Sequence, residues 1–223
     1  MLLIISREIP NHANKLRELY RSLTHRGIPY IVTRRCDPEI IQRKDICGLI
    51  LPGSRLRIKQ NTPQPEHLVE LYYLFHFPKT PVLGICHGCQ FLMLYYGGSL
   101  NTYNSLWTGP HDVEFTLSRQ SIFTGQQRVK KAQFYFHELP VAPPSSSSHV
   151  REIAWITRFR DGCRHACAFE FVKNRVYGLM FHPELMESTR DILYHFYDNI
   201  ASASASASAS VPASASAPAT ASV

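Results

Sequence analysis

The chain opens on an unbroken apolar run, Met1-Leu2-Leu3-Ile4-Ile5, cut off by Ser6, Arg7 and Glu8. Apolar runs of this length are strands buried on both faces, so Leu2–Ser6 is the first strand. Over Asn14–His25 the period changes: Leu16, Leu19, Tyr20 and Leu23 recur at helical spacing, and Gly27 closes the helix. Pro29–Thr33 and Cys47–Leu51 repeat the apolar strand pattern, with a short helix expected over Asp37–Arg43 between them. Leu68, Leu71, Tyr72 and Phe75 set a helix over Glu66–Phe77. Pro81–Ile85 is then a fourth apolar strand, leading into a helix from Gly88 to about Tyr96. Strands apolar on both faces, alternating with helices, predict an α/β fold: a mostly parallel sheet with helices on both faces.

From residue 111 the segments shorten. His111–Thr116, Lys131–His137, Glu152–Arg158 and Ala166–Val172 predict mostly antiparallel strands, an extension of the parallel sheet. Pro143, Pro144 and Ser145–Ser148 read as an exposed loop. Val176–Phe181 is a last strand, followed by a helix over Glu187–Asn199. Residues 201–223 alternate Ala and Ser around Pro212 and Pro218, with no charged or aromatic side chain. That composition buries too little apolar area to offset its ordering entropy, so one domain over residues 1–200 and a disordered tail are expected.

Composition narrows the class. With 223 residues, 44% hydrophobic and 18% charged, the chain can bury a core without metal or disulfide staples. No apolar run approaches the ~18 residues of a membrane span, and the broken N-terminal run is no signal peptide. Six cysteines without an export signal predict free thiols and a cytoplasmic setting. The net charge is +7, and all of the excess falls early: residues 1–60 hold 12 Lys/Arg against 5 Asp/Glu, and the rest hold 12 of each. Those charges are not interleaved with aromatics and match no nucleic-acid motif, so nucleic acid is not the expected partner. They form a solvated face or a docking surface for an acidic partner.

The chemistry concentrates where the fourth strand ends. Gly84-Ile85-Cys86-His87-Gly88 has the spacing of a nucleophile elbow with Cys as nucleophile, the small flanking residues letting the chain turn sharply from strand to helix. A helix N-terminus beside the sulfur favours the reactive thiolate. A base is delivered at the end of the last strand, in His182-Pro183-Glu184, where the carboxylate can hold the imidazole in one tautomer. Cys86, His182 and Glu184 form a candidate triad. Oxyanion donors would be the backbone N–H of His87 and one from the Pro52-Gly53-Ser54 turn after the third strand. Cys86-x-x-Cys89 also fits a redox pair, but Cys89 is explained as a small helix residue facing the core. Cys163, His165 and Cys167 lack a fourth partner for structural zinc, so neither a metal nor a cofactor is expected. Arg55, Arg57 and Lys59 either make a solvated face or attract a carboxylate of substrate or partner.

Two stretches, Gly84-Ile85-Cys86-His87-Gly88-Cys89-Gln90 followed by Tyr96-Gly97-Gly98, and Tyr177-Gly178-Leu179-Met180-Phe181-His182-Pro183-Glu184, resemble the two signatures of class I glutamine amidotransferase domains. Leu51-Pro52-Gly53-Ser54 resembles that family's Pro-Gly-Gly loop. The resemblance implies a flavodoxin-like domain that hydrolyses the glutamine side-chain amide through a thioester on Cys86, with His182 as base and Glu184 orienting it. It implies glutamine held by the side chain of Gln90 and by backbone of the loop Asn104–His111. It further implies ammonia passed to a separate synthetase, as in free-standing glutaminase subunits of the GMP synthetase and anthranilate synthase types.

Three positions depart from the family pattern. Ser54 replaces a second Gly, which strains the loop if that residue needs φ > 0. Met180 replaces a Gln before Phe-His-Pro-Glu. Phe136, in Tyr135-Phe136-His137, replaces a small polar residue of a Ser-His segment. Two other readings therefore stand beside the amidotransferase: a γ-glutamyl hydrolase with water as its only acceptor, and a regulatory or binding module whose substrate pocket Ser54 and Phe136 have spoiled.

Overall fold

The computed structural model describes residues 1–7, 14–58, 67–116, 123, 128–143, 150–157, 162–173 and 175–209. The apolar runs form the expected parallel strands: β1 (Leu2–Ile5), β2 (Tyr30–Thr33), β3 (Gly48–Leu51), β4 (Val82–Ile85) and β9 (Val176–Leu179). Between and after them lie α1 (Asn14–His25), α2 (Pro38–Ile41), α3 (Leu68–His76), α4 (His87–Tyr95) and α5 (Glu187–Ala209). Asp37 caps α2 by accepting the Glu39 N–H at 2.9 Å. The remaining strands are β5 (Ser99–Phe115), β6 (Val129–Val141), β7 (Arg151–Ile156) and β8 (His165–Val172). All nine join one sheet in the order β2-β1-β3-β4-β9-β8-β7-β5-β6. The first five are parallel and the last four antiparallel.

Glycines decide how closely helices approach this sheet. Gly84 and Gly178 are register partners on β4 and β9, and a Cβ on either would collide with α4, on Gly88 and Leu92 or on Cys89. Gly48 faces the other way and meets Ile200 and Phe196 of α5. The sheet is thus covered on both faces, as strands of this apolarity require. Its core includes Leu2–Ile5, Leu49–Leu51, Phe91, Leu92, Phe169 and Phe196, all buried. No helix of the described residues is long and apolar enough to cross a membrane.

The antiparallel half differs most from expectation. Residues 99–110 read as a loop, yet β5 begins at Ser99 and pairs with β6 as far as Ser99↔Val141. Polar residues and Pro110 are tolerated because this stretch pairs only with β6; the pairing with β7 covers Val113, Glu114 and Phe115. The register shifts between Thr102 and Trp107, so the expected substrate-holding loop Asn104–His111 is a bulged strand. The helix α5 also runs past Asn199 to Ala209, into the segment read as a disordered tail. Alanine is the strongest helix former, and extending an existing helix avoids the cost of nucleation. Residues 210–223, Lys59, Glu66, Arg158 and the loop at 144–149 lie outside the described residues.

Candidate active site

Three adjacent parallel strands, β3, β4 and β9, end together, and the residue or two after each carries a candidate group: Gly53, Cys86 and His182. The turn from β4 into α4 forces Cys86 to φ 51° and ψ −104°, making it the one non-glycine residue with positive φ among those described. A backbone in such a region stores roughly 1–3 kcal/mol, held here by packing on both sides. Its amide donates to Leu179 of β9 at 2.6 Å, and a Cβ on Gly88 would stand 2.0 Å from the Leu51 carbonyl oxygen. The glycines of the elbow are thus steric requirements.

His182 is completely buried. Its amide donates to the Gln133 carbonyl of β6 at 2.8 Å, its Nδ1 meets Glu184 Oε1 at 2.7 Å, and its Nε2 has no hydrogen-bond partner. Pro183 opens a 3-10 turn over Pro183–Leu185 that fixes the imidazole and carboxylate two residues apart. Burial disfavours the charged imidazole, but the Glu184 carboxylate and the Cys86 sulfur outweigh it and raise its pKa to about 9. The Cys86 thiol lies 3.3 Å from the Tyr135 carbonyl oxygen, and the Tyr135 ring meets His182 edge-on at 5.8 Å. A Cβ on Gly53 would sit 2.6 Å from His182 Cε1 and 3.5 Å from Cys86 Cβ, so the Pro52-Gly53-Ser54 turn lies directly against both.

The structure therefore brings Cys86, His182, Glu184 and Gly53 to one point. Three further site residues use their side chains elsewhere. The ring of His87 stacks on His67 at 5.5 Å, away from the thiol; burial, then the positive field of His67 and Arg7, lowers its pKa to about 3. Gln90 donates its amide to the Glu138 carbonyl at 2.7 Å, tying α4 to β6. Ser54 Oγ accepts the Leu56 N–H at 3.1 Å, and neither Gly53 nor Ser54 has a positive φ, so the strain anticipated at Ser54 is absent. Phe136 points into the core, parallel to Trp107 at 5.9 Å, and so does not fill the site. Cys89 packs against Gly178, and burial pushes its thiol pKa well up, which argues against a redox pair.

Sequence reading missed the contribution of β6. Gln133 and Tyr135 act through their carbonyls, a role that no side-chain motif encodes. Alternation along β6 does place Gln133, Tyr135 and His137 on one half-buried face, with Phe134 and Phe136 buried on the other. The Arg7–Glu70 ion pair, beside His67 at the start of α3, was likewise unmarked by spacing.

Fold and geometry define an α/β domain with a thiol on a strand-to-helix elbow, opposed by a carboxylate-anchored histidine. The chain belongs to the class I glutamine amidotransferase family, whose sequence model matches residues 10–200. It is 25% identical over 197 residues to the glutamine-hydrolysing subunit of GMP synthase from Methanocaldococcus jannaschii, covering 84% of this chain and 93% of that one. The protein of the same name in Methanococcus aeolicus is 27% identical over 195 residues, covering 83% and 92%. Among solved structures, one described as a GMP synthase subunit, from Thermoplasma acidophilum, superposes with a TM-score of 0.69 at 20% identity, covering 93% and 96%.

Proposed function

We propose that this chain is a glutaminase, hydrolysing the side-chain amide of glutamine and releasing ammonia to a separate synthetase of the GMP-forming type. The reading rests on one observation above all: His182, pinned through Nδ1 to Glu184, meets Cys86 across Gly53 with its Nε2 unpartnered. In the reaction, Nε2 takes the proton of Cys86 and the sulfur attacks the amide carbon. The carbonyl electron pair moves onto oxygen, which the N–H of His87 and an N–H of the Gly53-Ser54 turn receive. As the C–N bond breaks, the imidazolium protonates the nitrogen and ammonia leaves a γ-glutamyl thioester. Water then gives a proton to Nε2 and attacks the thioester; glutamate departs and the sulfur recovers its proton. Glu184 holds the imidazole in place throughout and steadies its charge.

The acceptor is inferred from the relatives named as glutamine-hydrolysing subunits of GMP synthase. The impaired-module alternative loses its basis, because Ser54 carries no strain and Phe136 lies in the core. The test is labelling with a diazo-oxo-norleucine analogue of glutamine, the adduct being located by peptide mass spectrometry. Labelling confined to Cys86, prevented by excess glutamine and lost in Cys86→Ala, is the expected result. A thiol that reacts with a generic reagent but ignores the analogue overturns the glutaminase reading.

A further inference from the structure

The segment Pro52–Ile58 that lies over the thiol and imidazole is held by a charge pair outside the reacting groups. Arg57 donates twice to one carboxylate oxygen of Glu138 on β6, from Nε at 2.6 Å and from Nη2 at 2.5 Å. The Glu138 side chain is 5% exposed and that of Arg57 47%, so a buried carboxylate is matched by a cation reaching in from solvent. The Glu138 carbonyl in turn accepts the Gln90 amide from α4, and Tyr135, three residues earlier on the same strand, accepts the Cys86 thiol. At the far end Ile58 is buried, and within the loop Ser54 Oγ folds the chain back onto the Leu56 amide. One strand thus fixes the nucleophile, its helix and the loop above them.

We infer that the Arg57–Glu138 pair is a positioning latch, which keeps Pro52–Ile58 against Cys86 and His182 in the isolated chain and on which glutamine turnover depends. The inference rests on the glutaminase reading for its kinetic consequence, but not for its structural one. Opening the loop would return Arg57 to water at little cost to itself while leaving the Glu138 charge buried and alone, so the closed arrangement is favoured. The two partners therefore differ: losing Arg57 strands a charge, whereas Glu138→Gln only frees a surface arginine. Because Arg57 is half exposed, salt screens the latch.

The test compares Arg57→Ala, Glu138→Gln and the double variant with Arg55→Ala, which removes the same charge from an exposed position of the same loop. Two quantities are read: ammonia release from glutamine, and hydrogen exchange of the Gly53–Ile58 amides, which needs no substrate. In Arg57→Ala those amides exchange at least about tenfold faster at an unchanged global unfolding midpoint, and kcat falls roughly tenfold or more with little change in KM, because a displaced donor is felt in the transition state. Glu138→Gln has the smaller effect, the double variant is no worse than Arg57→Ala, and Arg55→Ala matches the wild type. Raising salt speeds loop exchange in the wild type and not in Arg57→Ala. Unchanged exchange in Arg57→Ala overturns the latch whatever the chain does with glutamine, and faster exchange at unchanged kcat overturns its positioning role. A wild type that releases no ammonia fails the glutaminase reading separately, and the exchange data still decide the latch.

Discussion

Replacing Gly53 by alanine adds one methyl group where the loop lies against the imidazole. That methyl would stand 2.6 Å from His182 Cε1, roughly 0.8 Å inside the 3.4 Å at which ordinary van der Waals contact begins. His182 cannot yield easily, since it is fully buried, tied through Nδ1 to Glu184 and through its amide to Gln133. The loop or the ring must shift by several tenths of an ångström, separating Nε2 from the sulfur or the loop N–H from the developing oxyanion. Overpacking of this kind costs about 1–3 kcal/mol of stability. A misplacement approaching 1 Å costs on the order of a hundredfold in rate. The assay is steady-state ammonia release beside a thermal midpoint. The expected outcome is a kcat lowered by one to two orders of magnitude with a modest fall in stability. Gly97→Ala is the control: at φ +82° with nothing within 4 Å of its Cβ, it should lose about 1 kcal/mol of stability and no activity. If Gly53→Ala keeps kcat within twofold of the wild type, the steric argument is wrong.

Other substitutions separate the remaining roles. Ser54→Gly should leave kcat within about threefold of the wild type, since no positive φ awaits relief there; a large gain in steady-state rate would show that Ser54 is strained after all. Phe136→Ser, restoring a small polar residue, should cost about 3–5 kcal/mol by emptying the space beside Trp107 and raise no activity, as urea midpoints and kcat would report. Gly88→Ala should fail to accumulate as folded protein, because its Cβ would meet the Leu51 carbonyl at 2.0 Å; a soluble variant with native circular dichroism is the contrary result. The raised pKa of His182, about 9 against an ordinary 6.5, means that its charged form stabilises the fold. That contribution, on the order of 3 kcal/mol, is fully present below pH ~6.5 and fades as pH rises through 9. Denaturant midpoints from pH 6 to 10 should therefore fall more steeply in the wild type than in Glu184→Gln, and parallel profiles would refute the assignment.

The parallel half of the fold was legible because its information is local and apolar. Runs such as Leu2–Ile5 and Val82–Ile85 are stable only inside a sheet, and the helices between them show the 3.6-residue period. The elbow was legible for a related reason: Gly84 and Gly88 record contacts that no side chain could survive. The antiparallel half was not, because β5 pairs over residues 99–110 with a partner some 30 to 40 positions away, and nothing within that stretch specifies such pairing. The latch was hidden in the same way. Arg57 read as one basic residue among several, and its meaning depends on a carboxylate 81 residues later.

The departures at Ser54 and Phe136 mattered in prospect because the family pattern was read as side chains. In space, the polar anchors that β6 gives the site are main-chain carbonyls: Gln133 receives the His182 amide, Tyr135 the Cys86 thiol and Glu138 the Gln90 amide. A carbonyl keeps its place under any substitution that preserves strand register, and alternation sends the Phe136 side chain to the opposite face from Tyr135. The same reasoning covers Ser54, whose backbone adopts no conformation reserved for glycine. What such a site does not tolerate is a change in the distance between main chains, which glycine sets at positions 53, 84 and 88. Substitution should therefore be freer at 54 and 136 than at these three glycines, although all five belong to or border the same short motifs.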